Sequence, residues 1–304
     1  MMGVGPVRSS DDDPGREEGM RAGDMAILLA LGAIWGASYL FFALGVRTIP
    51  PFTFVAGRLL IAAALLGLFR RLRPGPRADP PWGTYLVMGA FNAALPHTLV
   101  AWSERTIASG LAGVLIATMP LWAAGFTAIG LREERPSRCQ LAGLLLGFLG
   151  ILVLLFPDLR RAAHAHLLSE GAVVAAAISY AAATVYARRA LRGVPPVDAA
   201  IGQLGCGGLM ALPLSLLLDR PWALSPAPES LAALILLAVL GTAIAYVMYY
   251  ALLERTGVIG VSLVVYLNPI FAVLWGALWL GEPLSGWLLA GLALILAGVF
   301  LAGR

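Results

Sequence analysis

Arg58 stands inside a run of apolar residues, 52–69, with no acid beside it in the chain. A guanidinium at the centre of a membrane helix costs on the order of 2.5 to 3.5 kcal/mol. The run carries about ten Leu, Ile, Val and Phe, each returning roughly 0.3 to 0.6 kcal/mol, so it inserts and the arginine requires a reason. Six residues in from Phe52 is about 9 Å of helix at ~1.5 Å per residue. At that depth Arg58 either faces a central cavity and holds a substrate carboxylate or phosphate, or it snorkels to the interface or clamps carbonyls freed by a broken helix. Asn92, Pro96 and His97 interrupt the third apolar run. Free histidine titrates near neutrality, so His97 could bind substrate or carry a proton; a histidine hydrogen-bonded between helices is the plainer alternative.

Aromatic residues recur in the apolar runs: Trp35, Tyr39, Tyr180, Tyr246, Tyr249, Tyr250, Tyr266 and Trp275. Tyr246, Tyr249 and Tyr250 share one helical face by their three-and-four spacing, and Tyr266 and Asn268 lie just before Pro269. Such rings line a cavity and offer hydroxyls, or they fill a core. Trp82, Trp102 and Trp287, near the ends of runs, suit an interfacial belt. Pro120 and Pro269 fall in mid-run, and each should free the carbonyl four residues earlier, Ile116 and Val265. Irregular backbone at that depth belongs where it lines protein or a water cavity, so the two prolines are a hinge or gate, or else plain kinks.

Several chemistries have no residues to perform them. No Asp or Glu lies in the middle of an apolar run, leaving no candidate for a carboxylate relay. There is no His-Glu-x-x-His, no nucleotide-binding P-loop and no Gly-x-Ser-x-Gly, so neither an enzyme nor an ATP-driven pump is expected, and no cofactor. Cys139 and Cys206 form neither a disulfide framework nor a metal-ligand spacing.

The elements that position these residues follow from composition. The 304 residues are 60% hydrophobic and 12% charged, with a mean hydropathy of +0.84, outside the range of a soluble domain. A bilayer crossing takes roughly 20 apolar residues. Ten runs qualify: 25–44, 52–69, 84–102, 108–131, 139–156, 171–187, 197–218, 231–252, 258–280 and 286–302. Residues 1–24, acidic and rich in Pro and Gly, are expected to be a disordered cytoplasmic tail and not a signal peptide. All 21 basic residues are arginine. Fifteen fall on the N-terminal side of the alternating loops and five on the other, which places both termini in the cytoplasm. The net charge of +4 therefore reads as orientation, with no nucleic-acid partner.

One unit is written twice. Glu104-Arg105-Thr106 recurs as Glu254-Arg255-Thr256, and each copy runs on to a proline, Pro120 or Pro269, and then to a turn carrying Glu134 or Glu282. Pro50-Pro51 aligns with Pro195-Pro196, and the same register lays Trp35 on Tyr180 and Arg58 on Gln203. Each copy holds five crossings, an odd number, so the copies are inverted in the membrane. Inverted repeats are the architecture of secondary transporters, with substrate near the midplane between them.

Ile34-Trp-Gly-Ala-Ser-Tyr39, the Pro-Pro followed by Arg58, and the Leu-Arg-Glu-Glu and Leu-Gly-Glu turns before runs 5 and 10 resemble the drug/metabolite transporter superfamily, EamA branch, across 25–302. The resemblance implies a multi-pass exporter of amino acids or related small metabolites in a bacterial inner membrane. The expected fold is an all-α membrane protein of ten transmembrane helices, in two inverted five-helix repeats at 25–156 and 171–302. The expected site, facing a small-molecule substrate and set in the lipid bilayer, is Trp35, Tyr39, Arg58, Asn92, His97, Tyr180, Gln203, Tyr246, Tyr266 and Asn268, with Pro120 and Pro269 as hinges and no metal. Gly143, Gly147 and Gly150 in run 5, with Gly291 and Gly298 in run 10, permit close helix approach, within one subunit or in a homodimer through these helices. A membrane-embedded enzyme and a non-transporting scaffold are the alternatives.

Overall fold

The computed structural model describes residues 21–73, 75, 82–130, 138–161, 164–249, 251–252, 255 and 264–302, and among these there are helices and no strands. Glu134, Tyr250, Glu254 and Thr256, the tail up to residue 20, and the side chain of Tyr266 lie outside the described residues. The helices in order are α1 (Ala22–Gly45), α2 (Pro51–Leu72), α3 (Trp82–Gly89), α4 (Leu95–Ser103), α5 (Ser109–Ile116), α6 (Met119–Gly130), α7 (Arg138–Arg161), α8 (His164–Ala190), α9 (Pro196–Leu214), α10 (Pro228–Ala238), α11 (Val264–Leu280) and α12 (Gly286–Ala302). Three single π-helical turns interrupt the ladder, Ala90–Ala94 between α3 and α4, Ser215–Asp219 after α9, and Val239–Ile244 after α10.

Five helical stretches, Ala22–Gly45, Pro51–Leu72, His166–Ala187, Pro196–Asp219 and Pro228–Tyr249, are 22 to 24 residues long and apolar enough to cross a membrane. At ~1.5 Å per residue, 22 residues cover about 33 Å, the thickness of a bilayer's hydrocarbon. Four shorter apolar helices and the broken α3–α4 pair make up the remaining crossings, so the all-α, ten-helix expectation holds. Pro51, Pro196 and Pro228 each take the first helical position, where a missing N–H costs nothing and the fixed φ favours the helix. The paired Pro-Pro doublets are thus start signals for α2 and α9. Two expected spans differ in detail. Run 108–131 is two helices, α5 and α6, separated at Ala117 and Thr118, and the fifth crossing, α7, extends past Pro157.

The packing has two-fold character. α1 lies against α11, and, in the matching place, α8 lies against α5 and α6. α4 lies against α8, and α10 against α1. α2 pairs with α9, its own repeat mate, as α7 pairs with α12. The turn triplets obey the same relation: Thr106 Oγ1 is hydrogen-bonded to Ser169 Oγ in the second repeat, and Arg255 reaches back to Asp24 in the first, Nη1 to Oδ1 at 3.5 Å.

The glycines explain the α7–α12 pair. A Cβ placed on Gly298 would lie 2.6 Å from the Gly147 nitrogen and 2.7 Å from the Gly143 oxygen, and one on Gly150 would lie 3.0 Å from the Gly291 oxygen. Backbone touches backbone here, within one chain. The opposite face of α7 exposes Leu141, Leu145, Leu149 and Leu152, an apolar stripe suited to lipid.

Replacing Gly298 by Ala should destabilise the protein by about 1 to 3 kcal/mol through overpacking. Gly205→Ala, where nothing lies within 4 Å of the added atom, should be neutral or slightly stabilising. Thermal unfolding in detergent compares the two.

Candidate functional site

Two helices carry the polar centre, and the repeat relates them. Arg58 on α2 and Gln203 on α9 occupy equivalent places and are both 6% exposed. Each bonds to a π turn in the opposite repeat. Arg58 Nε donates to Thr242 Oγ1 at 3.1 Å, and Gln203 Oε1 accepts from Asn92 Nδ2 at 2.9 Å. Asn92 and Thr242 are themselves repeat mates, 150 positions apart like the Glu-Arg-Thr triplets. A π turn widens the helix and misaligns one carbonyl. Thr242 meets that need too, its hydroxyl donating to Leu237 O at 3.0 Å.

The Arg58 guanidinium lies 4.9 Å from the centroid of the Phe42 ring, a contact worth up to ~2 kcal/mol when desolvated. Tyr39, Tyr180 and Tyr246 are close enough to interact with its charge. Its Nη1 is buried and donates to nothing, and an unmet buried donor costs about 1 to 3 kcal/mol. The centre therefore holds a cation whose Nη1 group is unpartnered, among aromatic rings.

His97 joins this group. Its ring is 6.1 Å from Phe42, stacked at 27°, and 5.8 Å from Tyr180, edge-on at 86°. Nδ1 lies 2.6 Å from the Ala93 carbonyl, which can only accept, so the proton is assigned to Nδ1 and Nε2 keeps a free lone pair. Gln203 extends the second chain, donating from Nε2 to the Tyr246 hydroxyl at 3.1 Å. Arg58, His97 and Tyr180 thus meet around Phe42, while Asn92, Gln203 and Tyr246 form a continuous hydrogen-bonded row.

The remaining expected residues go elsewhere or stand apart. Trp35 packs on Tyr249 at 5.6 Å, in a smaller apolar cluster with Leu28, Leu31 and Leu252. Trp35 and Tyr180, although repeat mates, therefore have different neighbours. Tyr39 is buried against Gly113 of α5. Asn268 Oδ1 is buried with no donor. Pro120 follows the break between α5 and α6, where Thr118 Oγ1 donates to Leu115 O at 2.7 Å and accepts from Trp122 Nε1 at 3.2 Å. Pro269, in contrast, lies inside the continuous α11. The two prolines share a place in the repeat and not a backbone.

Thr242 and Phe42 are the contributors that sequence reasoning did not select. Thr242 was reachable by carrying the 150-residue register back to Asn92; Phe42 has no such signal.

Clasps close both ends of the α2–α9 pair. At one end Arg70 grips Asp198 through Nε and Nη2, at 2.6 and 3.1 Å. At the other, the Thr53 N–H and hydroxyl donate to Asp219 Oδ2 at 2.7 and 3.0 Å, with Ser215 Oγ 2.8 Å from the same hydroxyl. Thr53 and Asp198 are repeat mates, as are Arg70 and Ser215.

Comparison with known proteins agrees with this architecture. The profile of the EamA-like transporter family matches twice, over residues 22–156 and 168–304. An uncharacterized transporter of Archaeoglobus fulgidus is 26% identical over 282 residues, covering 91% of this chain and 98% of its own. The uncharacterized inner membrane transporter YedA of Escherichia coli K12 is 29% identical over 272 residues, covering 87% and 86%. A crystal structure of a protein 23% identical in sequence superposes with a TM-score of 0.66 over 93% of this chain and 98% of its own, which speaks for the fold alone.

Because the two polar links are separate, a double-mutant cycle on Asn92→Leu and Gln203→Leu should give a coupling of about 0.6 to 2 kcal/mol. Asn92→Leu combined with Thr242→Val should be close to additive. Unfolding in mixed detergent micelles measures both cycles.

Proposed function

The chain belongs to the EamA-like transporter family, within the drug/metabolite transporter superfamily, and on that premise we propose that it exports small amphipathic metabolites bearing a carboxylate, amino acids among them. The observation that carries this reading is the vacant Nη1 of Arg58, buried beside Phe42, Tyr180 and His97. A carboxylate there gains a charge-assisted hydrogen bond, and the aromatic rings accept its apolar body. The hydrogen-bonded row of Asn92, Gln203 and Tyr246 supplies a neutral polar wall that would suit an ammonium or amide group.

Movement follows from the paired clasps. Alternating access needs the two repeats to rock about a fixed midplane site. Arg70–Asp198 at one end of the α2–α9 pair and Thr53–Ser215–Asp219 at the other are contacts that can open in turn. The arginine bias supports a cytoplasmic position for the first of these clasps and for both termini. YedA, an inner membrane transporter by name, supports the bacterial inner membrane as the location.

Counterflow of labelled amino acids in proteoliposomes tests the reading. Arg58→Ala should weaken apparent affinity about 10- to 150-fold, the equivalent of a lost hydrogen bond to a charged group at ~1.5 to 3 kcal/mol. Arg58→Lys, which keeps the charge and loses the planar fork, should fall between. Unchanged flux in the alanine variant would remove Arg58 from the site.

A further inference from the structure

Glu104 is out of place by ordinary rules. It follows α4 at the end of the third crossing, it is 6% exposed, and neither carboxyl oxygen has a hydrogen-bond partner of good geometry. It lies just beyond the end of the third apolar run, 84–102. The side chain borders a cavity of about 430 Å³ together with Arg47, Arg105, Glu282 and Leu280.

Glu282, from the turn between α11 and α12, is the opposite case. Its two oxygens accept from Ser109 N at 2.7 Å and Gly110 N at 2.9 Å, capping α5. The positive end of that helix favours its charge. Gly110 and Gly276 leave room for the carboxylate, and a side chain at Gly276 would occupy its space. This cap ties the α11–α12 turn to the helix that breaks before Pro120, across the seam between the repeats.

Two carboxylates on one cavity do not both ionise cheaply. Glu282 has two well-formed donors and a helix terminus; Glu104 has only the Ala43 N–H nearby, in poor geometry, so the proton stays on Glu104. Burial first, and repulsion from Glu282 second, hold the Glu104 carboxyl well above the usual carboxylate range. The other groups around it are the exposed Arg47 from the α1–α2 turn, Arg105 beside it in its own turn, and the Tyr39 phenol from α1.

We propose that Glu104 is a proton-binding site whose ionisation loosens the Glu282 cap on α5 and opens this mouth of the protein. The proton passes to water in the cavity and returns from it. A second negative charge then faces Glu282 and opposes its hold on Ser109 and Gly110. The link from this opening to transport rests on the functional reading above; the site itself does not.

The sign of the pH dependence is set by the raised carboxyl. Its stabilising contribution is complete below the unfolded carboxyl value of about 4.3 and is lost as pH rises through the higher folded value. Infrared titration of the purified protein should show a protonated carboxyl persisting above the usual carboxylate range, absent from Glu104→Gln. Hydrogen exchange over 107–116, corrected for intrinsic rates, should lose protection with rising pH by up to about tenfold per unit, and Glu104→Gln should abolish that slope. If Glu104→Gln does not fold, Glu282→Gln serves instead, moving the infrared transition to lower pH. A carboxyl band unchanged by either substitution, or a pH slope retained in Glu104→Gln, would overturn the proposal. These readouts need no substrate, so a failure of amino acid counterflow would reject the transport reading and leave this one standing.

Discussion

In hydrocarbon, a polar group must find its partner inside the chain, and the rest of this structure depends on how that demand is met. Side chains satisfy irregular backbone locally: Thr242 serves the Leu237 carbonyl, His97 that of Ala93, and Thr118 that of Leu115. Ser103 closes the end of α4 in the same way, donating to Leu99 O at 2.6 Å. Where the helix widens into π turns, the demand becomes an opportunity. Asn92 and Thr242, on the two repeat-related π turns, reach across to Gln203 and Arg58 in the opposite repeat.

That exchange makes the midplane a shared property of the two repeats. Arg58 on α2 and Gln203 on α9 are each tied to the far repeat in the middle, and the clasps join the two helices at both ends. The scaffold that surrounds this pair is closed by contact of backbone with backbone, as in α7 and α12, where glycines remove any side chain from the seam. Such seams are stiff. The ladder is interrupted instead at the fourth crossing, where α5 stops at Ile116 and α6 begins at Met119.

The repeats agree in scaffold and differ in chemistry. At equivalent positions stand Arg58 and Gln203, a cation with an unpartnered Nη1 and an amide bonded at both ends. At the α2–α9 ends stand an ion pair and a pair of hydroxyls with a carboxylate. A symmetric frame with unlike contents gives the two ends of the α2–α9 pair unlike contacts. The carboxylates Glu104 and Glu282 line a cavity apart from the Arg58 centre.

The span count, the inverted repeat, Arg58 and its mate Gln203 were legible in the sequence, because hydropathy and repeat spacing are properties of the chain alone. The 150-residue register even contained the match of Asn92 with Thr242. What only the tertiary structure decided is which polar atoms meet. Trp35 and Tyr180 are equivalent in register and part company because unlike residues surround them, Tyr249 for one and His97 for the other. Pro120 and Pro269 likewise share a place while one crossing breaks and the other continues. Glu104 reads as a loop residue in the sequence. It lies instead on one cavity with Glu282, which a turn more than 170 residues later brings against α5, and no local pattern carries that information.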